Sequence, residues 1–399
     1  MFPRHGEWRA ALVAAVCALS RPATANDQAC VDHAVEAIKT LNAEFYNVNT
    51  GIWNNAWWNS ANALTTLANF ASLRTDEANK LNIGGYIRNT FTQAQKTNVQ
   101  TVKAMDKNGM VWSTYCLDNS NGCIGKREFL QKRGFDHFIN EFYDDEGWWA
   151  LALIGSHDVT GDKDYLDAAV NIFNDMQTGR NTPCGGGIFW NKQRKYVNAI
   201  TSELYLSVAA SLANRIPQNK KTYLDEAKAH WEWFEKSGMI NAQNLINDGL
   251  DDHCKNNGQP TWSYNQGVVL GGLAELSRAT GDGRYIERAV GIAQAAIKAL
   301  ANPDGILVEV DKCELRGDNC GGDGAQFKGV FMRNLGYLNA VAPHKEFADF
   351  IIKNADSIWA KDRDGGKLGV AWTGPYIKAT GASQSSALDV LVAAISVKT

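Results

Sequence analysis

The chain has 399 residues, of which 45% are apolar and 21% charged, and its formal net charge is −3. This is the composition of a globular protein, and it excludes a disordered, collagenous or membrane-spanning chain. No run of five basic residues is present, so nucleic acid has no electrostatic support as a partner.

The first 25 residues have the three-part pattern of a secretory signal peptide. Basic residues at Arg4 and Arg9 precede an apolar segment over residues 10–19, and Ala23-Thr24-Ala25 satisfies the small-x-small cleavage rule. The apolar segment is too short to span a bilayer. An ordinary N-terminal helix is the alternative, but the order of the three regions favours a signal peptide. We therefore predict export to the extracellular space, a signal peptide over 1–25 and one domain over 26–399.

The cysteines predict disulfide bonds, because an exported protein meets an oxidising compartment. Eight cysteines are present, and loss of Cys17 with the signal peptide would leave seven. Two short loops favour Cys116–Cys123 and Cys313–Cys320, and Cys184–Cys254 is a third candidate pair. Cys30 is then left over. No CxxC pair is present, and we expect neither a metal nor a cofactor.

Helical periodicity dominates the rest of the chain, and strand signals are sparse. Six apolar segments rich in small residues begin near residues 58, 148, 203, 267, 330 and 386. A more polar helix follows most of them, which makes the repeating unit a helical hairpin of roughly 60 residues, with one long insertion. Because small residues let helices pack closely, we predict an all-α fold, an (α/α)6 barrel. An open α-solenoid is the alternative.

One hairpin is visible as a direct repeat. The segment from Thr160 to Ile172 recurs as the segment from Thr280 to Ile292. In each copy the pattern predicts a helix that ends at Thr-Gly and a new helix that begins after Asp. Glycine tolerates the left-handed conformation that stops a helix, and aspartate caps the next one.

The most informative stretch runs from Phe142 to Ile154, where Asp144 and Asp145 precede Trp148 and Trp149 at a predicted helix start. Acids beside aromatic faces are typical of a sugar-cleaving cleft. Carboxyl groups act on the glycosidic bond, and flat apolar faces suit pyranose rings. The alternative is that the acids only cap the helix and the tryptophans only fill the core.

Adjacent acids favour one stereochemical outcome. Their carboxyl groups can reach the separation of about 5–5.5 Å used by retaining glycosidases, but not easily the separation of about 6.5–9.5 Å used by inverting ones. One acid would attack as a nucleophile and the other would act as acid and then base. The helix dipole favours charged carboxylates, so the acid needs its pKa raised by its neighbour's charge and by apolar cover from Tyr143, Trp148 and Trp149.

Other aromatic and polar residues at predicted loops and helix starts are candidates for binding the sugar. They are Tyr143, Trp148, Trp58, Asn59, Phe189, Trp190, Asp251, Asp252, Tyr264, Asn265 and Gln266. The glycine-rich turn before Phe189 is not a phosphate cradle, because no Lys-Ser/Thr follows it. Each candidate also has an ordinary alternative as a core aromatic, a helix-start residue or, for Asp251 and Asp252, part of a solvated turn.

At these motifs the chain resembles glycoside hydrolase family 76. The resemblance rests on the double aspartate and double tryptophan over residues 144–152, the glycine turn over 185–190 and the helix start over 264–268, and it covers roughly residues 29–397. It implies an (α/α)6 barrel and retaining endo-α-1,6-mannanase activity on mannan or mannose-containing glycans. It also implies that Asp144 is the nucleophile and Asp145 the acid/base.

Three functions stay open at this point. The first is a secreted endo-α-1,6-mannanase, which we expect to be a monomer. The second is a cell-wall transglycosylase acting on the mannose core of glycolipid (GPI) anchors, as implied for fungal members with cysteine-rich loops. The third is a non-catalytic mannan-binding protein, which the intact acid pair disfavours. The last residues lack the pattern of a lipid-anchor signal, and this favours the hydrolase.

Overall fold

The computed structural model describes residues 25–97, 99–105, 110–117, 137–317 and 320–398. Within these ranges the chain forms thirteen α-helices and three two-stranded sheets. The helices are α1 (Ala25–Phe45), α2 (Trp57–Leu73), α3 (Thr75–Lys80), α4 (Ile83–Ala94), α5 (Tyr143–Thr160), α6 (Lys163–Met176), α7 (Ala199–Arg215), α8 (Lys220–Lys236), α9 (Ser263–Thr280), α10 (Arg284–Leu300), α11 (Gly324–Val341), α12 (Lys345–Lys361) and α13 (Gly381–Lys398).

Six of these helices close into an inner ring. Helix α2 packs on α5, and the contacts continue through α7, α9, α11 and α13 back to α2. A second layer surrounds the ring, in which α6, α8, α10 and α12 each pack on the inner helix that precedes them and α1 packs on α13. The predicted (α/α)6 barrel is confirmed, and the inner helices begin within six residues of the predicted starts.

Glycines allow the inner helices to approach backbone to backbone. A methyl group on Gly267 of α9 would lie 2.5 Å from Cα of Phe331 on α11. A methyl group on Gly329 of α11 would lie 2.4 Å from Cα of Ser386 on α13. Both distances are too short for a real side chain. The small residues in the sequence therefore set the close packing of the ring.

The repeated hairpin forms as predicted in both copies. Helix α5 ends at Thr160 before left-handed Gly161, and Asp162 accepts a hydrogen bond from the backbone N–H of Asp164. Helix α9 ends at Thr280 before left-handed Gly281 in the same way. The repeat thus marks equivalent joints between an inner and an outer helix.

Short antiparallel hairpins join the helices at their ends. Strands β1 (Tyr46–Asn47) and β2 (Ile52–Trp53) form one, and β5 (Arg363–Asp364) and β6 (Lys367–Leu368) form another. The longest pairs β3 (Val99–Met105) with β4 (Val111–Leu117). This hairpin lies in the long insertion between α4 and α5, where no strand was predicted.

Two of the predicted disulfide bonds are confirmed, Cys184–Cys254 and Cys313–Cys320. The third prediction, Cys116–Cys123, involves Cys123, which lies outside the described residues, and Cys30 is buried. The predicted signal peptide also lies outside them, apart from Ala25. No helix among the described residues is both long enough and apolar enough to cross a membrane.

Candidate active site

A pocket opens where the inner helices begin. Its lining comes from the first residues of α2, α5, α9 and α11, from the β3–β4 hairpin and from the loops before α7 and α9. The empty space at this site, including its opening to solvent, is about 360 Å³. The lining residues are Trp58, Lys103, Met105, Val111, Asp144, Trp148, Trp190, Asn198, Asp248, Tyr264, Asp323 and Phe327.

The two adjacent aspartates lie in the first turn of α5 and share one lysine. Nζ of Lys103 lies 2.8 Å from Oδ2 of Asp144 and 2.6 Å from Oδ1 of Asp145. Asp144 lines the pocket and is 6% exposed, whereas Asp145 is fully buried behind it. Oδ1 of Asp144 is buried and has no hydrogen-bond partner among the described residues. A ligand that reached this oxygen would therefore have no described donor to displace.

The shared lysine limits the separation of the two carboxyl groups. Because both oxygens touch the same nitrogen, at 2.8 and 2.6 Å, they lie no farther apart than the sum of these distances, about 5.4 Å. A retaining glycosidase holds its two carboxyl groups about 5–5.5 Å apart, and an inverting one about 6.5 Å or more. The geometry is thus suited to retention.

Burial gives Asp145 the properties of an acid near neutral pH. It raises the pKa of Asp145 to about 7, while the charge of Lys103 lowers the pKa and the charge of Asp144 raises it. Burial alone would lower the pKa of Lys103, but the two aspartates raise it above its usual value. Lys103 is therefore a cation near neutral pH.

Asn140 fixes the other face of Asp145. Its Nδ2 donates to Oδ2 of Asp145 at 2.6 Å, and its Oδ1 accepts from the backbone N–H of Phe142 at 2.8 Å. Behind this contact, Lys192 pairs with Glu146 at 2.9 Å and with Asp175 at 2.8 Å. Burial raises the pKa of Glu146 well above its usual range, against the lowering effect of Lys192. The acid pair is thus held by contacts on its buried side.

Two aromatic pairs form walls of the pocket. Trp58 stacks on Trp148 with ring centroids 5.6 Å apart, and Tyr264 stacks on Phe327 with centroids 4.0 Å apart. The half-buried Trp190 adds a further ring. Trp149 points away from the pocket and packs in the core, because successive helical residues face about 100° apart. Flat faces on several sides suit a sugar ring.

Two more carboxyl groups reach the pocket from other elements. Burial raises the pKa of Asp248 to about 6, and Asp248 accepts a hydrogen bond from the hydroxyl of Tyr196. Burial also raises the pKa of Asp323, while the charge of Lys103 lowers it. Oδ1 of Asp323 accepts a hydrogen bond from Nε1 of Trp58 at 2.9 Å. The described lining is therefore acidic, with Lys103 as its cation.

The structure brings some of the predicted residues together and places others elsewhere. Asp144, Trp148, Trp58, Trp190 and Tyr264 line the pocket. Phe189, Asn59 and Asn265 are buried close to the lining but do not belong to it.

The remaining predicted residues have other surroundings. The hydroxyl of Tyr143 contacts Thr178 behind the acids, and Gln266 bonds to the backbone of Ile246. Asp251 and Asp252 are exposed in the turn next to Cys254. In that loop it is Asp248 that reaches the pocket.

Lys103 is the most important site residue that was not predicted, although the sequence contains a signal for its position. Lys103 lies on β3, and Asn108-Gly109 between the two strands is a strong hairpin signal in sequence. Alternation then places Lys103 and Met105 on one face of the strand. Asp323 and Phe327 carried no local signal, because only the closed ring brings α11 to the acids.

The described residues offer no convincing metal site. One group of side chains among them has the spacing of metal ligands, and it consists of Cys313, Glu314 and Cys320. The two cysteines are joined in a disulfide bond, so their sulfurs are not free to bind a metal. The chemistry of the pocket rests on carboxyl groups and one lysine.

Comparison with known proteins places this geometry in context. A model of Glycosyl hydrolase family 76 matches residues 28–398. A putative mannan endo-1,6-alpha-mannosidase of Schizosaccharomyces pombe is 31% identical over 216 residues, covering 50% of this chain and 48% of that relative. The mannan endo-1,6-alpha-mannosidase DFG5 of Candida albicans is 27% identical over 368 residues, covering 86% of this chain and 72% of that relative. The chain thus spans about half the length of the first of these relatives.

Solved structures show the same fold. An inactive variant of an α-1,6-mannanase of Salegentibacter sp. HEL1_6, with two consecutive aspartates changed to asparagine and α-1,6-mannotriose bound, has a TM-score of 0.72 at 19% identity and covers 92% of this chain and 99% of that one. Dfg5 of Chaetomium thermophilum in complex with glucosamine has a TM-score of 0.71 at 17% identity and covers 94% of this chain and 92% of that one.

Proposed function

Because the chain belongs to glycosyl hydrolase family 76, we propose that it is an exported, retaining endo-α-1,6-mannanase in which Asp144 is the nucleophile and Asp145 the general acid and base. One observation carries the proposal: beside an aromatic pocket, Oδ2 of Asp144 and Oδ1 of Asp145 touch Lys103 at 2.8 and 2.6 Å respectively, so these two oxygens lie within about 5.4 Å of each other. The relatives named as mannan endo-1,6-alpha-mannosidases supply the substrate class.

The first half-reaction assigns one role to each acid. Oδ1 of Asp144, which has no hydrogen-bond partner, attacks the anomeric carbon of an α-1,6-linked mannose. Asp145, whose pKa is raised to about 7 by burial, gives its proton to the leaving oxygen. The bond to the leaving sugar breaks as the glycosyl ester on Asp144 forms.

The second half-reaction reverses these steps with water. Asp145, now a carboxylate, removes a proton from water, and the hydroxide oxygen attacks the anomeric carbon. Two inversions return the α configuration. If a sugar hydroxyl replaces water, the same intermediate leads to transfer, as the transglycosylase hypothesis requires.

Export is supported by two observations. The first residues have the pattern of a signal peptide, and the structure contains the disulfide bonds Cys184–Cys254 and Cys313–Cys320. Disulfide bonds of this kind persist in oxidising compartments.

The experiment incubates linear α-1,6-mannan with wild type, Asp144→Asn and Asp145→Asn, with and without an acceptor mannooligosaccharide. Asp167→Asn, an exposed residue on the outer helix α6, is the matched control. We expect internal cleavage by wild type and the control, and a loss of roughly 10³-fold or more in both site variants. Wild-type activity in Asp144→Asn would overturn the proposal. Products lengthened by the acceptor in preference to water would favour the transglycosylase.

A further inference from the structure

Several contacts fix the side chain of Lys103 beside the acid pair. Its side chain is 3% exposed, and its ammonium group touches one oxygen of each aspartate. The ammonium also lies over the rings of Phe142, at 4.8 Å, and Trp190, at 5.7 Å. Thr101 on the same strand lies 3.4 Å from Nδ2 of Asn140, which holds Asp145. The β3 strand is thus attached to both the acids and the residue that orients them.

The contacts of Lys103 divide the four carboxylate oxygens into three kinds. Lys103 occupies Oδ2 of Asp144 and Oδ1 of Asp145. Asn140 occupies Oδ2 of Asp145. Oδ1 of Asp144 alone has no hydrogen-bond partner within the described part of the chain. Lys103 therefore leaves one oxygen of Asp144 for attack, while it also touches one oxygen of Asp145.

We propose that Lys103 is a positioning residue that serves as the shared counterion for the single negative charge of the acid pair as this charge moves between Asp144 and Asp145. The inference rests on the proposed function. Before the first half-reaction Asp144 is charged and Asp145 is protonated. Afterwards Asp144 is a neutral ester and Asp145 is charged, because its proton has gone to the leaving oxygen. Net charge is conserved, and Lys103 touches the charged group in both states.

A fixed cation at this position keeps the negative charge of the acid pair compensated throughout the step. Charge on Asp144 disappears as charge on Asp145 appears. A cation within 2.8 Å of both carboxyl groups therefore stabilises the negative charge at every point of this transfer. Water could not supply this in a buried site without reorganising. Lys103 would also allow each new carboxylate to form without an unpaired charge, which is costly when buried.

Other charged and titratable groups face the pair from several elements. Asp323 stands at the start of α11, Tyr115 on β4, Tyr264 on α9 and Asp248 in the loop before α9. The charge of Asp144 raises the pKa of Asp145 and of Asp248, whereas the charge of Lys103 lowers the pKa of Asp145 and of Asp323. Removing the Lys103 charge should therefore raise the pKa of Asp145 further.

The test compares Lys103→Gln, which removes the charge but keeps a donor, with Lys103→Arg, which keeps the charge. Lys221→Met, at an 89% exposed lysine on α8, is the control. In Lys103→Gln we expect kcat/KM on α-1,6-mannan to fall about 10-fold or more. We also expect the alkaline limb of the pH profile of kcat/KM to move up by about one pH unit. Lys103→Arg should keep the limb near its wild-type position.

Two outcomes would overturn the inference while wild type remains active. One is an unchanged alkaline limb in Lys103→Gln, and the other is a rise in kcat/KM, which would mean that Lys103 only blocks the pocket. A measurement without substrate separates this from failure of the proposed function. Carboxyl ¹³C NMR of labelled aspartate, assigned with Asp145→Asn, should show a higher pKa for Asp145 in Lys103→Gln even if wild type has no activity on mannan. A pKa of Asp145 in Lys103→Gln that is equal to or lower than in wild type would also overturn the inference.

Discussion

Trp58 at the start of α2 donates a hydrogen bond from Nε1 to Oδ1 of Asp323 at 2.9 Å, and Asp323 immediately precedes α11. These two inner helices are not neighbours in the ring, since α13 lies between them. The bond therefore joins two parts of the pocket lining that come from non-adjacent helices. It also keeps the Trp58 ring stacked on Trp148.

We expect Trp58→Phe to lower kcat/KM on α-1,6-mannan by about 10-fold. Phenylalanine keeps an aromatic face but leaves a buried carboxylate oxygen without its donor, which costs roughly 1.5–3 kcal/mol. Steady-state kinetics measures the effect. Trp231→Phe, in a buried tryptophan of the outer helix α8, should change stability and leave the kinetics unchanged. Equal kinetic losses in the two variants would contradict a local role for the bond.

Asp248 provides a second test of the pocket. It lines the pocket and accepts a hydrogen bond from the hydroxyl of Tyr196. An isolated β-bridge between Asn198 and Gly249 holds the backbone beside it. A carboxylate at this position can accept hydrogen bonds from sugar hydroxyls. We expect Asp248→Asn to raise KM by roughly 10-fold, since a hydrogen bond to a charged group is worth about 1.5–3 kcal/mol. A KM equal to that of wild type would remove Asp248 from the binding site.

The loop that carries Asp248 shows what sequence can and cannot predict. Asp248, Asp251 and Asp252 look alike in sequence, and the bridge that turns Asp248 inward depends on Asn198, far away in the chain. The double aspartate, by contrast, lies in the first turn of a helix whose start was predicted from local pattern. Local signals therefore located Asp144 and Asp145, while contacts across the ring decided which other polar groups face them.

The same distinction applies to the fold. Small residues and the Thr-Gly-Asp repeat predicted the hairpins and the ring, because both depend on short-range packing and capping. The β3–β4 hairpin was missed, although the sequence contains the hairpin signal Asn108-Gly109. Without that hairpin Lys103 could not be placed next to the acids.

Asp362 gives a prediction about stability and pH. It is fully buried, and neither of its carboxylate oxygens has a hydrogen-bond partner among the residues that the structure describes. Burial raises its pKa to about 7 against the opposing charge of Lys328. An unfolded aspartate has a pKa of about 3.9, so the folded state binds more protons between these values. The stability contributed by protonated Asp362 is complete below about pH 4 and is lost as the pH rises through about 7.

Asp362→Asn should therefore stabilise the protein more at pH 8 than at pH 5, relative to wild type. Thermal unfolding at the two pH values measures the difference in Tm. Asp356→Asn, at an exposed position on α12, the helix that ends just before Asp362, is the control and should show no such pH dependence. A difference in Tm between Asp362→Asn and wild type that is the same at both pH values would contradict the assignment.

The two disulfide bonds should contribute unequally. Cys184–Cys254 has a sequence separation of 70 and Cys313–Cys320 a separation of 7. In the chain-entropy model, removing the longer cross-link costs roughly 4 kcal/mol and removing the shorter one roughly 2 kcal/mol. Urea unfolding of the paired serine variants, Cys184→Ser with Cys254→Ser and Cys313→Ser with Cys320→Ser, compares them. A larger loss for the shorter loop would show that strain or local packing outweighs loop entropy.

The most direct test of the central claim is the anomeric configuration of the first product. Proton NMR during cleavage of α-1,6-mannan by wild type should show the α reducing end before mutarotation, because carboxyl groups whose lysine-bound oxygens lie within about 5.4 Å of each other suit retention rather than a water-mediated inversion. An initial β anomer would contradict the assignment of Asp144 and Asp145 as a nucleophile and an acid acting on the same bond.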